Sequence, residues 1–368
     1  MISVTDIAAE LIRIPSINPD SEDPGFHRTG EKECAERVFT YLKEAGADVS
    51  LRDVEPGRPN VVARFPSKNP NAPRLLFAPH LDTVSVSGMT IPPFDATIHE
   101  DRLWGRGASD TKGPMAAMLW ALIDSRDMLA DLPVEIWFAG LVGEEAGQFG
   151  AKALAEQEHF DFVIAGEPTS LQVVHTHKGA SWLHVTTHGH AVHASRPDAG
   201  ENAIYKMATA IDVLRNKVAP ILSEKHHPLL GASTLSVGTI RGGSKVNIVP
   251  DFCEAHVDIR TIPGVDASFV TSMLEESVPD ISVILRSSEP LLTDPANPFI
   301  QKLQSIGAGL TGAPWFCDAA VFAAKGCPAV AIGPGSIDQA HTADEFISIS
   351  DLEEGAAFFS RFFSSLRD

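Results

Sequence analysis

Residues 74–83 read Arg-Leu-Leu-Phe-Ala-Pro-His-Leu-Asp-Thr, an apolar run that ends in two polar side chains, His80 and Asp82. The run at residues 75–78 is apolar at every position, which is typical of a strand that is buried on both faces. Such strands occur in parallel sheets whose two faces are covered by helices. The stretch therefore predicts an α/β layer in which a polar loop follows a central strand.

Strand and helix patterns alternate around this stretch through the first half of the chain. The predicted elements, in order, are a helix at 31–45, strands at 60–65 and 74–78, a helix at 112–128, and strands at 134–139 and 162–165. Apolar strands separated by helices indicate a doubly wound α/β domain.

The pattern changes after Lys178. Strands of alternating polarity and two helices are predicted in the order β-α-β-β-α-β, at residues 181–189, 202–218, 233–240, 252–261, 268–277 and 281–287. This order is that of a ferredoxin-like α+β unit.

The end of the chain returns to the α/β pattern, with a buried strand at 329–332 and a closing helix at 349–366. A length of 368 residues is long for a single core. We therefore expect one discontinuous domain, residues 1–177 and 289–368, with a smaller domain at residues 178–288 inserted in its middle.

Composition excludes several classes of protein. With 44% hydrophobic and 21% charged residues, the chain is neither disordered nor collagen-like. No apolar stretch approaches the ~20 residues of a membrane-spanning helix. Residues 1–14 carry Asp6 and Glu10, so they favour an amphipathic helix over a signal peptide.

Charge and cysteine usage restrict the partners and the compartment. The chain has 29 lysines and arginines against 48 aspartates and glutamates, a formal net charge of −19. Such a surface repels nucleic acid and anionic lipid, so we expect neither as a partner. The four cysteines, Cys34, Cys253, Cys317 and Cys327, have no paired spacing. We expect free thiols in a reducing cytosol, hence a cytoplasmic protein.

Polar side chains gather where the predicted α/β elements begin and end. They are His80, Asp82, Asp110, Glu144, Glu145, Glu167 and His341. In an open α/β sheet, ligands bind outside the carboxyl ends of the strands. Carboxylates with two imidazoles suit zinc or a neighbouring divalent metal. Four of these carboxylates, if they converged without a cation, would raise one another's pKa values, and two divalent ions would neutralise them.

Asp82 follows His80 by two residues, which fits a carboxylate that hydrogen-bonds to the imidazole and fixes its tautomer. Other catalytic motifs are missing from the sequence: there is no Gly-x-Ser-x-Gly elbow, no His-Glu-x-x-His pair and no Walker loop. Cys317 is more typical of a buried structural thiol than of a nucleophile.

The predicted inserted domain carries a second polar group of residues. A histidine-rich segment that includes His193 leads to Asn202, which stands where a helix begins and suits a polar turn with a helix cap. Asn247 and Arg260 flank the predicted strand at 252–261. Arg260 fits either an exposed surface arginine or a bidentate clamp for a carboxylate.

The motifs together resemble the zinc-dependent family of acetylornithine deacetylases, succinyl-diaminopimelate desuccinylases, aminoacylases and glutamate carboxypeptidases. The motifs are Pro-His80-Leu-Asp82-Thr, Gly-x-x-Asp110-Thr-Lys-Gly, Glu144-Glu145, Gly-Glu167-Pro-Thr and His341. The resemblance runs end to end. It is strongest to the acetylornithine deacetylases, in residues 166–172, 177–179, 257–260 and 333–345.

The resemblance implies a metallopeptidase-like catalytic domain and a ferredoxin-like lid that joins two copies into a homodimer. It implies two divalent metal ions, zinc before cobalt or manganese, bridged by Asp110. Their other ligands would be His80 and Glu167 at one ion, and Glu145 and His341 at the other. The peptide bond after Asp110 would be cis.

The resemblance also implies roles for the remaining residues. Glu144 would be the general base, Asp82 the residue that orients a ligand, Arg260 and Asn247 the binders of the substrate carboxylate, and His193 a residue presented to the partner subunit's active site. Two positions depart from the acetylornithine deacetylases: Cys317-Asp318-Ala319 replaces Cys-Thr-Glu, and Asp338 replaces Asn. Both are expected to line the substrate side of the site.

The activity implied is hydrolysis of the amide bond of a small N-acyl amino acid, as in arginine biosynthesis, by a metal-bridged water with Glu144 as base. A desuccinylase, a dipeptidase or a carboxypeptidase of the same family is the alternative. A metal- or peptide-binding relative without catalysis is disfavoured, because a binding protein needs no base beside its ligands.

Overall fold

The computed structural model describes residues 2–20 and 30–367; residues 1, 21–29 and 368, which belong to the predicted outer domain, lie outside this description. The helices are α1 (Val4–Arg13), α2 (Lys32–Glu44), α3 (Lys112–Leu129), α4 (Phe149–Gln157), α5 (Ala203–Val213), α6 (Ala219–Ser223), α7 (Phe269–Ser277), α8 (Pro298–Ser305), α9 (Ala319–Ala324) and α10 (Ile349–Ser365). The strands are β1 (Asp48–Glu55), β2 (Arg58–Phe65), β3 (Arg74–Ala78), β4 (Thr97–His99), β5 (Arg102–Trp104), β6 (Glu135–Gly140), β7 (Phe162–Ala165), β8 (Val173–His177), β9 (Gly179–His188), β10 (His226–His227), β11 (Gly231–Ala232), β12 (Thr234–Gly242), β13 (Phe252–Thr261), β14 (Ile281–Ser288), β15 (Leu291–Leu292), β16 (Leu310–Ala313), β17 (Ala329–Ala331) and β18 (Phe346–Ser348).

The chain forms two compact units. Unit 1 comprises Met1–His175, Thr293–Thr311 and Cys317–Asp368, and unit 2 comprises Thr176–Leu292 and Gly312–Phe316. Residues 178–288, predicted as an inserted domain, all belong to unit 2. That this unit acts as a lid and joins two copies stays a prediction.

Unit 1 is built on a twisted sheet with parallel strands at its centre. Its strands pair in the order β1-β2-β6-β3-β7-β17-β8, and β6, β3, β7 and β17 run parallel. Strands β6 and β7 are buried at every position, as expected for a sheet covered on both faces. The α/β fold expected for this part of the chain is confirmed. The carboxyl ends of the parallel strands meet at one edge of the sheet.

Helix α10 packs against the central strand β3 of unit 1 through an aromatic cluster. Phe77 of β3 lies with its ring centroid 5.9, 6.4 and 5.3 Å from those of Phe359, Phe362 and Phe363 in α10, all at steep angles. Edge-to-face pairs of this kind add about 0.5–1.5 kcal/mol each to the area they bury. The cluster holds β3 firmly just before the loop that carries His80.

Unit 2 has the ferredoxin-like order that the sequence predicts. Its antiparallel strands pair in the order β12-β13-β9-β14. Leu183 and Val185 of β9 and Val257 of β13 point to a core shared with α5 and α7, and the residues between them face the other side. The predicted helix at 202–218 is α5 followed by a π-helical segment, Leu214–Val218. Asn202 caps α5 by accepting from the N–H groups of Ile204 and Tyr205.

Two strands that the sequence did not predict have polar patterns. The edge strand β1 is mostly exposed and carries charged residues. Strand β8 is buried at every position although it contains His175 and His177, because neighbouring backbone carbonyls satisfy their Nδ1 atoms. Apolar pattern alone misses both cases, since it predicts neither an exposed edge nor a buried histidine.

The expected free thiols and the missing membrane span agree with the structure. Cys34, Cys253, Cys317 and Cys327 are all buried and form no disulfide. Among the residues that the structure describes, no helix is long and apolar enough to cross a membrane.

His177 makes unit 2 sensitive to acid. It is fully buried, its Nδ1–H donates to the Lys178 carbonyl at 2.9 Å, and its Nε2 has no hydrogen-bond partner among the described residues. Burial lowers the pKa of His177 to about 4 from its ordinary 6.5. Between these values the unfolded chain takes up a proton that the folded chain refuses, so stability falls as the pH drops from 6.5 and levels off below 4.

We expect His177→Phe to remove the part of the acid-induced loss of folding stability that comes from His177, roughly 3 kcal/mol once the pH is below both pKa values. Denaturant unfolding at pH 7 and pH 4.5 measures the acid-induced loss of stability in each protein. The loss should be smaller in His177→Phe than in the wild type, whereas substitution of the exposed His188 by Phe should leave it unchanged. An equal loss in His177→Phe and the wild type would contradict the prediction.

Candidate active site

Asp110 lies in a loop between β5 and α3 that a distant carboxylate holds in place. Glu345 accepts from the backbone N–H groups of Gly107 at 3.0 Å, Ser109 at 2.9 Å and Asp110 at 3.0 Å, and from Arg106 Nη1 at 2.7 Å. Both Glu345 and Arg106 are buried. The Asp110–Thr111 peptide bond is cis, as the resemblance implies. Glu345 thus sets the position of Asp110 without being near it in sequence.

His80 lies two residues beyond β3 and points at Asp110. Its Nε2 is 3.0 Å from Asp110 Oδ1, and its Nδ1 is 2.9 Å from the backbone carbonyl of Asp82. The Asp82 carboxylate is 3.6 Å from that Nδ1. The main-chain carbonyl of Asp82 is thus the nearer partner of the imidazole, with the Asp82 carboxylate beside it; that this carboxylate orients His80 stays a prediction.

The Asp82 carboxylate has other partners. It accepts from the backbone N–H groups of Glu144 and Glu145, both at 3.1 Å, and from Asn18 Nδ2 at 2.7 Å. A buried carboxylate needs such donors because an unpaired charge away from water is costly. Asp82 therefore joins the loop after β3 to the turn that carries both glutamates.

Glu144 and Glu145 lie in a 3-10 turn after β6, Glu144–Ala146. Gly143 precedes the turn with φ 76° and Gly147 follows it with φ 102°, conformations that only glycine adopts readily. A Cβ at Gly143 would also lie 2.9 Å from the ring of Phe149. The tight turn sends two adjacent carboxylates toward the edge where the parallel strands end.

Glu167 and His341 complete the group. Glu167 lies two residues beyond β7 and is buried. His341 Nε2 is 3.1 Å from Glu145 Oε1 and 3.3 Å from Asp110 Oδ2, and its side chain is 53% exposed. Its φ of 61° is unusual for a residue other than glycine, and such conformations cluster at functional sites.

The donor atoms fall into two sets that share one residue. His80, Asp110 and Glu167 form one set and Asp110, Glu145 and His341 the other, and within each set the donor atoms lie within 4.8 Å of one another. His80, Glu144 and Glu145 form a further group of the same span. Sets of one imidazole and two carboxylates are ligands that zinc and neighbouring divalent transition metals bind. The residues could hold two divalent ions, and Asp110 would be available as a ligand to both.

The electrostatics of the site show a shortage of positive charge. Burial, reinforced by neighbouring carboxylates, raises the pKa values of Glu144, Glu145 and Glu167. Burial would also raise the pKa of Asp110, but the hydrogen bonds from His341 and His80 outweigh it and hold that pKa below its ordinary value. Hydrogen bonds to Asp110 and Glu145 raise the pKa of His341 to about 10. In this site, protons on the glutamates and on His341 balance the negative charge, and bound divalent cations would take over that role.

Asp318 is a further buried acid in unit 1. It is almost completely buried, and burial raises its pKa to about 7. It contributes to the raised pKa values of Glu144 and Glu167, so it lies near the site. Asp338, the other position that departs from the acetylornithine deacetylases, is exposed on a short turn.

Three of the candidate residues lie in unit 2. Arg260 is the penultimate residue of β13, where its Nε donates to Asp258 Oδ1 at 2.8 Å and its guanidinium lies 5.7 Å from the ring centroid of Phe316. His193 is exposed, and the Ser195 N–H donates to its Nδ1 at 3.2 Å. The Ala194 N–H donates to the Asn247 carbonyl at 3.0 Å, which sets the segments of His193 and Asn247 side by side.

Comparison with known proteins assigns the chain to a family. A sequence model of Peptidase family M20/M25/M40 matches residues 76–365. The chain belongs to this family. The family inferred from the motifs is therefore confirmed, and the protein is a metal-dependent enzyme that hydrolyses amide bonds.

Relatives and solved structures of the M20 family match over nearly the whole chain. The acetylornithine deacetylase of Vibrio atlanticus is 31% identical over 367 residues, 95% of either chain. An M20 family metallo-carboxypeptidase from Sulfolobus solfataricus superposes with a TM-score of 0.82 at 20% identity and covers 100% of both chains. A dinuclear metal binding peptidase of the M20 family from Bacillus subtilis has a TM-score of 0.67 at 13% identity and covers 99% of this chain and 97% of its own.

Sequence motifs missed two residues that shape this M20 site, Glu345 and Asn18. Glu345 lies four residues after His341, but nothing in that spacing shows that it accepts from a loop more than two hundred residues earlier. Asn18 donates to Asp82 from the segment after α1. Both act over long sequence separations, which local patterns do not report.

We expect Glu345→Gln to loosen the Asp110 loop. Removing one partner of a buried ion pair costs about 3–5 kcal/mol, and removing a residue that orients a metal ligand lowers metal affinity by about 10–100-fold. Thermal unfolding and zinc titration with a competing chelator measure the two effects. Glu353→Gln, an exposed change on α10, should alter neither. If Glu345→Gln kept the zinc affinity of the wild type, the loop that carries Asp110 would not need the Glu345 carboxylate to hold its shape.

Proposed function

We propose that this protein removes the acyl group from an N-acyl amino acid, in the manner of an acetylornithine deacetylase. The observation that carries the proposal is the arrangement of Glu144, a buried carboxylate beside two metal-donor sets that share Asp110. The relative from Vibrio atlanticus named acetylornithine deacetylase supports the substrate class.

The metal is proposed to be zinc, two ions per chain, with cobalt and manganese as alternatives. Two imidazoles among carboxylates favour zinc over magnesium or calcium, which prefer oxygen ligands. The Bacillus subtilis fold relative described as dinuclear supports the number. When bound, such ions supply Lewis acidity, which polarises an amide carbonyl and makes a nearby water more acidic.

Glu144 is proposed as the group that moves the proton. Its backbone N–H is fixed by Asp82, and burial raises the pKa of its carboxyl well above the ordinary value. A carboxylate with a raised pKa accepts a proton from water more readily and can return it to the departing amine nitrogen. Arg260 and Asn247 are proposed to bind the carboxylate of the substrate, since a guanidinium can form two parallel hydrogen bonds to it.

A peptidase of the same family is the second candidate. The solved structures that share the fold include a metallo-carboxypeptidase. In addition, Asp318 and Ala319 replace the Thr and Glu expected in acetylornithine deacetylases, close to Glu144 and Glu167. The same amide chemistry would then act on a peptide bond.

A panel of substrates distinguishes the candidates. Protein stripped of metal and reloaded with zinc is assayed for amine release from acetylornithine, acetylmethionine, succinyl-diaminopimelate and a dipeptide. We expect the highest kcat/KM with an acetyl amino acid. Fastest release from the dipeptide would favour the peptidase, and no release from any substrate would contradict amide hydrolysis of this kind.

We also propose a homodimer joined through unit 2, in which the partner subunit's His193 serves the active site. The apolar residues Met207 and Leu214 lie in the core of unit 2 and are not free for pairing. The sheet has two edge strands, β12 with the exposed Ile240 and β14 with the exposed Ile284, and an edge strand is a surface that can pair with its own copy. Since Nδ1 of His193 accepts from Ser195, the neutral ring carries its proton on Nε2, a donor suited to a developing oxyanion.

Mixing two inactive proteins tests this arrangement. Glu144→Gln and His193→Ala chains are exchanged into heterodimers, in which one of the two sites combines an intact Glu144 with the partner's His193. We expect activity to recover on mixing, while each protein mixed with itself stays inactive. No recovery after exchange is confirmed would show that His193 acts within its own chain or has no catalytic role.

A further inference from the structure

Three side chains of the types that bind metal ions lie together on the face of the unit 2 sheet opposite the core shared with α5 and α7. His184 belongs to β9, and Glu254 and His256 belong to β13, where they are two residues apart and point to the same face. His184 and His256 are direct cross-strand partners in the register of the two strands. The cluster therefore stands on the two central strands of the sheet rather than on loops.

The side chains already touch. His184 Nε2–H donates to Glu254 Oε2 at 3.1 Å, and the rings of His184 and His256 stack with centroids 4.5 Å apart and planes within 4°. One donor atom from each of the three residues lies within 4.8 Å of the others. A tetrahedral zinc with ligand bonds of ~2.0–2.1 Å needs its donors about 3.4 Å apart. Small side-chain rotations can bring the donor atoms from their present separations, up to 4.8 Å, to this spacing. The side chains have room to rotate because His256 is exposed and His184 and Glu254 are half-buried.

The surroundings leave room for an ion and for a further ligand. A groove of about 490 Å³ runs over this face and is lined by Trp182, His184, His256, Asp258, Ile284 and Arg286, among others. Gly238, beside a bulge in β12, contributes no side chain over His256, and a Cβ placed there would meet only the His256 carbonyl oxygen, at 3.8 Å. A water or a ligand group can therefore complete the coordination from the groove.

The charges near the cluster are compatible with a cation. Asp258 and Arg286 line the groove beside the cluster, and Trp182 Nε1–H donates to Asp258 at 2.7 Å. The whole chain carries a formal charge of −19, which raises the local concentration of divalent cations. Two imidazoles and one carboxylate match the ligand set of zinc sites that keep one position open.

We infer that His184, Glu254 and His256 form an additional binding site for a zinc-class divalent cation, separate from the active-site donors. All three residues belong to unit 2, whereas every donor of the active site belongs to unit 1. The inference does not depend on the proposed substrate or on the dimer.

Equilibrium dialysis of the full-length protein against Zn²⁺ tests the inference. The metal-free wild type, His184→Ala, His256→Ala, Glu254→Gln and His188→Ala are compared over a range of free zinc. His188→Ala is the matched control, because it removes an exposed histidine from the same face of the same strand. Circular dichroism confirms that each protein is folded, and amine release reports the state of the active site.

We expect the wild type and His188→Ala to bind one more zinc per chain than the three cluster variants, at unchanged active-site turnover. Loss of one ligand should weaken this extra binding by more than ~100-fold, since loss of an outer hydrogen-bond partner alone costs 10–100-fold. Identical isotherms in all five proteins would overturn the inference. Equal weakening in His188→Ala would also overturn it, because it would indicate non-specific binding to surface histidines.

Discussion

Glu144→Gln should lower turnover by about 10²–10⁴-fold while the protein keeps its full metal content. The substitution preserves the shape of the side chain and removes its ability to accept a proton. The Asp82 carboxylate still accepts from the backbone N–H at residue 144, so the turn should keep its place. Steady-state kinetics on the best substrate of the panel, with metal analysis of the same sample, measures both quantities.

Glu145→Gln is the matched control for this experiment. Glu145 contacts His341 and belongs to a donor set with Asp110, so its substitution should lower metal affinity as well as turnover. If Glu144→Gln instead lost metal and kept its turnover per bound ion, the roles of the two adjacent glutamates would be reversed.

Asp110→Asn should weaken binding at both metal positions by more than ~10²-fold and abolish turnover at limiting metal. Asp110 is the one residue common to the two donor sets, and both imidazoles approach its carboxylate. An amide offers one oxygen and no charge, so it cannot hold two cations. Zinc titration with a competing chelator, and turnover at a series of zinc concentrations, measure the effect.

Asp127→Asn, at an almost fully exposed aspartate near the end of α3, should leave both quantities at their wild-type values. If Asp110→Asn lost only one of two ions, Asp110 would be a ligand of that ion and not a bridge. Wild-type affinity for both would exclude it from the metal centre.

Local sequence patterns predicted most of the framework. Strands β3, β7 and β13 have the bounds expected from the sequence, and the order of strands and helices in unit 2 agrees with a ferredoxin-like unit. These predictions succeed because burial of a strand or of a helix face leaves a periodic mark over a few neighbouring residues. Strand β8 fails the same test, since its buried histidines look polar in sequence.

The candidate metal donors could also be named from the sequence, because each follows or precedes a predicted element at the same edge of the sheet. Topology then brings them together: the parallel strands β6, β3, β7 and β17 have adjacent carboxyl ends. The motifs sufficed for the family as well, through the combination of His80, Asp110, Glu144 and Glu167 with His341.

The sequence by itself thus determined most of the elements, the family and the candidate metal donors of unit 1. Only the tertiary structure decided how those residues are supported. Asp82 was expected to orient His80 with its carboxylate, and that carboxylate also accepts from the backbone N–H groups of Glu144 and Glu145. Glu345 fixes the Asp110 loop, and His184 meets Glu254 across two strands. The physical reason is that each of these hydrogen bonds joins residues about sixty to more than two hundred positions apart, and their geometry exists only after the chain has folded.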